Sequence, residues 1–459
     1  MKNKKAIHFV GIGGIGMSAI AQILLDRGES VTGSDIKDTH IIQKLRDKGA
    51  VIYIGHKAKN IHGAMLLVVS SAISKFNPEL KEARKKKIPI IARAMMLALL
   101  MEGSKKIIIA GTHGKTTTTS MISFLLESNG FDPTLAIGGE LEIFGGNAKL
   151  GQGEYFVAEA DESDGSFLNL SPDIGIVTNV EPEHLDYYKN IQEIRNAFKR
   201  FLKNIKPGGA AVLCLDDENI SRIVAQKFNP DIQFITYGIK NKKADILAED
   251  VKLRPWGSQA SIFRNGVLLG TLQLNVPGIH NVLNAMAAVG AGLFLGIRFK
   301  KICNAMVKFK NVRRRFEVRG EVGGILILDD YAHHPTEVRM TLQAARMLNR
   351  KRIVVVFQPH RWTRTKFMGR ELGVALSVAD LIFVTKVYSA GERPLSGVHP
   401  NLILDAIKPL NRNVKFLKDT KKIISTLLET LKSKDLLLTL GAGDVYKIGE
   451  ELLEKINNE

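Results

Sequence analysis

An α/β protein built on three sheets is what this sequence predicts, and three observations predict it. Residues 6–10 read as a buried strand that runs into Gly11-Ile-Gly-Gly-Ile-Gly16 and then an apolar helix. Residues 105–110 read as a second strand, followed by the glycine-bracketed loop Gly111-Thr-His-Gly114 and a helix opening at Lys115-Thr116. In the last third, four apolar strands each end in polar residues, as an open parallel sheet does where it binds ligands at its carboxyl edge. A chain of 459 residues has room for about three domains of ~150 residues each.

Composition narrows the class. The chain is 45% apolar and 24% charged, as expected of a globular protein. Its two cysteines, Cys214 and Cys303, make no disulfide framework and no zinc spacing. A reducing, cytoplasmic location is therefore the expectation. The start, Met1-Lys-Asn-Lys-Lys, is basic, but the apolar run after it breaks at once into glycines, so no secretory leader is expected. Ala94-Met-Met-Leu-Ala-Leu-Leu-Met101 is too short to span a bilayer, so no membrane insertion is expected. The net charge of +19 suits nucleic acid or polyanionic small substrates. Its lysines are dispersed and no known nucleic-acid module is present, so a lysine-rich solvated surface is preferred and no nucleic-acid partner is expected.

In the first third, Gly11–Gly16 is a complete G-x-G-x-x-G, and a second strand over residues 30–34 ends at Asp35. Such a loop holds a diphosphate at a helix N-terminus. Alone it reads as NAD or FAD, yet a UDP-linked sugar presents the same diphosphate. Ser70 and Ser71 leave the end of the strand Met65-Leu-Leu-Val-Val; they read equally as ligand contacts or as a polar strand cap.

The middle third carries the phosphate loop. Glycines free backbone N–H groups to face an anion, Lys115 reaches outer phosphates, and Thr116 offers a hydroxyl to Mg²⁺. Ile109 stands where the longer phosphate-loop pattern has its first glycine. The strand Tyr155-Phe-Val-Ala ends in Glu159-Ala-Asp-Glu-Ser-Asp164, where carboxylates of phosphate-loop proteins face the metal. His184, just past the strand Ile174-Gly-Ile-Val-Thr-Asn179, reads as a metal ligand or as a helix-cap histidine. Asn281 and Asn284, at i and i+3 in the first turn of a helix after His280, are open to capping, purine or phosphate contact. Residues 240–255 read as surface hairpin.

In the last third, Asn311-Val-Arg-Arg-Arg-Phe316 is a basic connector. The strand 325–330 ends at Asp330 with Tyr331-Ala-His-His-Pro335 beyond it, and adjacent His333 and His334 diverge on most backbones, so substrate contact is preferred to metal there. His360, Arg361 and Arg364, beyond the strand 352–357, gather donors suited to carboxylate and phosphate.

Over nearly its whole length the chain resembles the ATP-dependent Mur ligases of bacterial peptidoglycan synthesis. The resemblance rests on Gly11-Ile-Gly-Gly-Ile-Gly-Met-Ser18, Val69-Ser-Ser-Ala-Ile73, Gly111-Thr-His-Gly-Lys-Thr-Thr-Thr118, Glu159-Ala-Asp-Glu-Ser-Asp164, Asn179-Val-Glu-Pro-Glu-His184, His280-Asn-Val-Leu-Asn284, Asp330-Tyr-Ala-His-His-Pro335 and Gln358-Pro-His-Arg361, in family order. The short phosphate loop is a family trait, which accounts for Ile109. The resemblance implies an N-terminal Rossmann-like UDP-binding domain (1–103), a central P-loop ATPase-type mixed sheet (104–312) and a C-terminal Rossmann-like domain (313–459). It implies that a lactyl carboxylate of UDP-N-acetylmuramate takes the γ-phosphate of ATP, and that the amine of L-alanine attacks the resulting acyl phosphate. A branch of the family that attaches a recycled murein tripeptide instead shares most of these motifs.

Carried over by motif, Gly13, Gly14, Ile15, Gly16, Met17, Asp35, Ser70 and Ser71 would hold the UDP-sugar. Gly111, Thr112, His113, Gly114, Lys115, Thr116, Thr117, His280, Asn281 and Asp330 would hold ATP. Thr116 and Glu159 would bind one Mg²⁺, and Glu159 with His184 a second. Arg314 would reach the transferring phosphate, while Tyr331, His333, His360, Arg361 and Arg364 would receive alanine and the acyl phosphate. A monomer or weak homodimer is expected. Phe198 occupies the place where several family members carry a carbamylated lysine, and Trp362 stands where a smaller aromatic is expected.

Overall fold

The computed structural model describes residues 5–185, 187–226 and 230–458, so the basic start at 1–4 lies outside the described residues. Three sheets follow one another along the chain. The first is five-stranded and parallel, in the order Val51–Ile54, Val31–Asp35, Ala6–Val10, Ala64–Val69, Ile90–Ala92. Its central strand, Ala-Ile-His-Phe-Val, is buried throughout, because helices cover both faces of a parallel sheet. Register pairs Val10 with both Ser34 and Val69, so the glycine loop, Asp35 and Ser70 leave the same edge.

The second sheet has ten strands. Lys105–Ala110 lies between Ile174–Val177 and Tyr155–Glu159, all parallel, with a three-stranded antiparallel meander (Ile246–Arg254, Gly257–Arg264, Val267–Leu274) at one end. The register matters for the site. Ile109 pairs with Glu159 and Ala110 with Val177, so Gly111, Ala160 and Thr178 emerge together. The hairpin expected over 240–255 is found as the first arm of the meander and its approach, with Ile246–Arg254 turning at Pro255-Trp256 into antiparallel Gly257–Arg264.

The third sheet has six strands, in the order Glu317–Val322, Ile325–Asp330, Asp435–Leu440, Arg352–Phe357, Leu381–Val384, Val414–Phe416. Five are parallel and Glu317–Val322 is antiparallel. That edge strand is half-exposed, so it shows no apolar run by which the sequence could announce it. One hydrophobic cluster runs continuously through the first two sheets, while the third packs two clusters of its own on opposite faces. Among the described residues no helix is long and apolar enough to cross a membrane.

Candidate active site

The phosphate loop is held from beneath by the neighbouring strand end. Thr178 Oγ1 donates to His113 O at 2.6 Å, while Asn179 accepts from His113 N (2.8 Å) and donates to His113 O (3.0 Å). Gly111 sits at φ 132°, and a Cβ there would lie 2.1 Å from Thr178 Oγ1. Gly111→Ala is expected to cost about 1–3 kcal/mol through overpacking. With the distorted segment cradling the phosphates, as the resemblance implies, ATP affinity should fall at least about tenfold, as read by calorimetric titration. Wild-type affinity would refute this account of the loop. Gly114, at φ 75°, caps the helix Lys115–Ser128, and Asn284 Oδ1 lies over it. Asn284 also accepts from Thr118 Oγ1 (3.2 Å) and donates to Asn281 Oδ1 (3.2 Å), so the i, i+3 pair links the two helices.

Charge is concentrated above the loop. Lys115 Nζ donates to Gly111 O, Thr112 O and Glu162 Oε1 at 2.5, 3.1 and 2.9 Å. Thr116 Oγ1 and Gly138 N both donate to Glu159 Oε2, at 2.9 and 3.1 Å. Burial raises the Glu159 carboxyl above its ordinary range despite Lys115 and Thr116. His184 Nε2 lies 3.5 Å from Glu162 Oε1, and Glu162 lines the same cavity as Glu159 and His184, the two expected to share a metal. The acidic run crosses the strand end with its first and fourth residues facing the loop, and the fourth is the one within reach of His184. Glu162 Oε2 is buried with no hydrogen-bond partner. An orphaned carboxylate oxygen beside a second buried carboxylate and a threonine hydroxyl fits a hard divalent cation.

Two cavities meet on this loop. One, of about 470 Å³, is walled by Tyr237, His280, Asn281, Asn284, Asn311 and Asp330 among others. The second, of about 370 Å³, is walled by Gly14, Ile15, Gly16, Met17, Ser70, Ser71 and Arg93 from the first sheet, and by Lys115, Thr116, Glu159, Glu162 and His184 from the second. From the third sheet come Tyr331, His333 and Arg364. His113, Gly114, Arg315 and Glu337 border both. Gly13 and Asp35 stand behind the wall: Asp35 Oδ2 accepts from Gly13 N at 2.9 Å and pins the glycine loop. His360 and Arg361 also stand back. His360 stacks on Tyr388 and touches Arg364, and Arg361 borders a small crevice beside His184.

Arg314 is a correction. Its guanidinium donates to Asp329 Oδ2 (3.0 Å), Gly443 O (3.0 Å) and Gly441 O (2.7 Å), and it stacks on Tyr446. It ties the third sheet together and is fully engaged there. Arg315 is the connector arginine that faces both cavities, 3.7 Å from Glu337 Oε1. Besides Arg315 and Glu162, sequence reasoning passed over Glu337 and Arg93. Glu337 had a signal, since it completes a capping box with His334. Arg93, 2.8 Å from Asp161 Oδ2, had none.

The third unit is docked on the second. Arg364 donates two bonds to Glu183 Oε1 (3.0 and 2.8 Å), and Thr336 Oγ1 donates to Glu181 Oε2 (2.7 Å). Arg364 and neighbouring imidazoles hold the Glu183 carboxyl well below its usual range against the cost of burial. Burial and Arg364 lower His333 to about 3, keeping it neutral; its Nδ1 lies 2.9 Å from Tyr331 O, which leaves Nε2 as the acceptor. Asp330 is raised to about 6 by burial while accepting from Phe316 N and Ala332 N. His280 is lowered to about 4 by burial and by Arg315.

His113 lies between Glu181 (3.4 Å) and Glu337 (3.5 Å). Burial opposes its charge, but these carboxylates push it up from 6.5 to about 9. A raised folded pKa means the stabilisation is whole below the unfolded value and lost as pH rises through the folded one. The joint therefore weakens from neutral pH through about 9. In chelator-treated protein, the stability difference between wild type and His113→Gln should shrink over that window in urea unfolding. A difference independent of pH would contradict the assignment.

Sequence signatures of known families match in three consecutive blocks. They are the Mur ligase family catalytic domain at 6–105, the Mur ligase middle domain at 109–292 and the Mur ligase glutamate ligase domain at 314–443. The chain belongs to the Mur ligase family. A UDP-N-acetylmuramate–L-alanine ligase of Pelotomaculum thermopropionicum is 47% identical over 457 residues, covering 99% of this chain and 98% of the relative. The protein of the same name from Desulforamulus reducens is 49% identical, covering 100% of this chain and 99% of the relative. Among solved structures, the UDP-N-acetylmuramate–alanine ligase of Thermotoga maritima matches with TM-score 0.85 at 32% identity over 99% of both chains. A murein peptide ligase of Psychrobacter arcticus matches with TM-score 0.76 at 25% identity, again over 99% of both.

Proposed function

We propose that this chain joins L-alanine to the lactyl carboxylate of UDP-N-acetylmuramate at the expense of ATP, as a cytoplasmic step of peptidoglycan precursor synthesis. The observation that carries the reading is the meeting of two cavities on one phosphate loop, one bordered by the glycine loop of the first sheet. The names of the full-length relatives support the same reading. The domains run 1–103, 104–312 and 313–459, and the chain works as a monomer or weak homodimer.

In this reading ATP enters the larger cavity, with its base and ribose among His280, Asn281, Asn284 and Asp330. Its phosphates lie along Gly111–Thr117. The UDP-sugar lies on Gly14–Met17 with Ser70, Ser71 and Arg93 beside it. Lys115 and Arg315 offset the repulsion between carboxylate and triphosphate as the acyl phosphate forms. Thr116, Glu159, Glu162 and His184 would hold Mg²⁺, which supplies charge neutralisation at the phosphates. His333, kept neutral, offers Nε2 as a hydrogen-bond acceptor that orients the alanine amine, and Arg364 with Tyr331 closes that side. Phe198 is buried against Phe167, which in turn stacks on Phe201, so a carbamylated lysine has no place at that position.

The test is phosphate release with ATP and UDP-N-acetylmuramate, comparing L-alanine with the murein tripeptide. Alanine is expected to be the preferred acceptor. Preference for the tripeptide would overturn the assignment.

A further inference from the structure

Three metal-ligating side chains converge outside the Thr116–Glu159–Glu162–His184 cluster, on the seam between the second and third sheets. His113 belongs to the phosphate loop, Glu181 follows the strand Ile174–Val177, and His334 caps the helix Pro335–Arg346. One ligand atom from each lies within 4.8 Å of the other two. His113 Nε2 is 3.4 Å and His334 Nδ1 is 3.8 Å from the same atom, Glu181 Oε2. The two imidazole centroids are 4.2 Å apart. His113 Nε2 is buried and has no hydrogen-bond partner.

The far side of each ring is also prepared. His113 Nδ1 faces Glu337 Oε1 at 3.5 Å, and His334 Nε2 faces Glu183 Oε2 at 3.8 Å. Metal-bound histidines commonly present their second nitrogen to a carboxylate, which fixes the tautomer and strengthens the ligand. Both histidines here are so arranged.

We propose that His113, Glu181 and His334 form a Zn²⁺ site completed only when the third domain docks on the second, and that Zn²⁺ bound there inhibits turnover by holding the two together. Two imidazoles and one carboxylate with a fourth position open are a zinc donor set, and bonds of about 2.0–2.2 Å bring ligand atoms to roughly the spacing that His113 and Glu181 already show. A small rotation of His334 closes the longer edge. Mg²⁺ prefers oxygen donors and is drawn to the neighbouring carboxylate cluster instead. Inhibition follows from position. His113 and Glu181 border the larger cavity on one side, and Thr336 and Glu337, which follow His334, border it on the other, so a metal that ties His334 to His113 and Glu181 opposes the opening through which nucleotide exchanges.

The test uses the full-length protein saturated with Mg²⁺ and a chromophoric chelator that competes for zinc. One Zn²⁺ per chain is expected. Glu181→Gln, which keeps its bond to Thr336, and His334→Ala should each weaken binding at least about tenfold, while His184→Ala leaves it unchanged. Phosphate release should fall with Zn²⁺ and recover with chelator. Each variant, compared with its own zinc-free rate, should resist inhibition. The binding readout does not depend on the ligase reading. Absence of stoichiometric zinc would overturn the proposal. So would loss of zinc on His184→Ala with Glu181→Gln unaffected, which would put the ion in the oxygen-rich cluster.

Discussion

Lys115→Ala should abolish ADP formation while leaving UDP-N-acetylmuramate binding nearly intact. Its ammonium is set directly among Gly111 O, Thr112 O and Glu162. Burial lowers the tendency of Lys115 to stay charged, but Glu162 and Glu159 more than compensate and raise its pKa, so it is an ammonium at any working pH. Losing such a donor from a water-poor site costs about 10²–10³ in rate. The loss here should exceed that, because Glu159 and Glu162 would then face the triphosphate without the ammonium set between them. In the proposed reading the sugar nucleotide would rest on Gly14–Met17 of the first sheet, which line the far wall of the shared cavity. Calorimetric titration should therefore give a near wild-type Kd for it. Loss of both activities together would contradict the division of labour between the two glycine loops.

The second large effect separates two neighbours. Arg315→Ala should lower kcat/KM by about 10²–10³ with little change in stability, since its guanidinium faces the junction of the cavities. Arg314→Ala should instead destabilise the protein by about 3 kcal/mol, because it strands the fully buried Asp329 carboxylate. Urea unfolding and steady-state kinetics on both variants would decide. If Arg314→Ala were the catalytic defect and Arg315→Ala the structural one, the placement of the connector would be wrong.

That pair also shows where sequence reading stops. Asn311–Phe316 is legible as a basic connector, but three consecutive arginines look alike in a sequence. Which one enters the cleft is decided by backbone turns, with Arg314 at φ 60° and Phe316 at φ 48°. The glycine loops were legible because their function is local: strand, turn and helix N-terminus lie within a dozen residues. The acidic run after Tyr155–Ala158 was legible as a charged strand end. The contact of His184 with Glu162 was not, because it depends on how two separate strand ends sit side by side. Edge strands such as Glu317–Val322 and Val414–Phe416 escaped for another reason, since half-exposed strands lack the apolar run of the buried ones. The seam of His113, Glu181, Glu183, Thr336 and Glu337 was equally hidden. It exists only when two units dock, and no periodicity within either unit records it.

The account's central claim is that carboxylate and γ-phosphate meet where the two cavities join. The most direct test labels the lactyl carboxylate of UDP-N-acetylmuramate with ¹⁸O and follows the label through one round of ligation with ATP and L-alanine. If the carboxylate attacks the γ-phosphorus, one of its oxygens leaves with the released phosphate, and mass spectrometry of that phosphate will show the label. Unlabelled phosphate alongside amide product would mean that the carboxylate never attacked phosphorus, and the shared junction would not be the place where the bond is made.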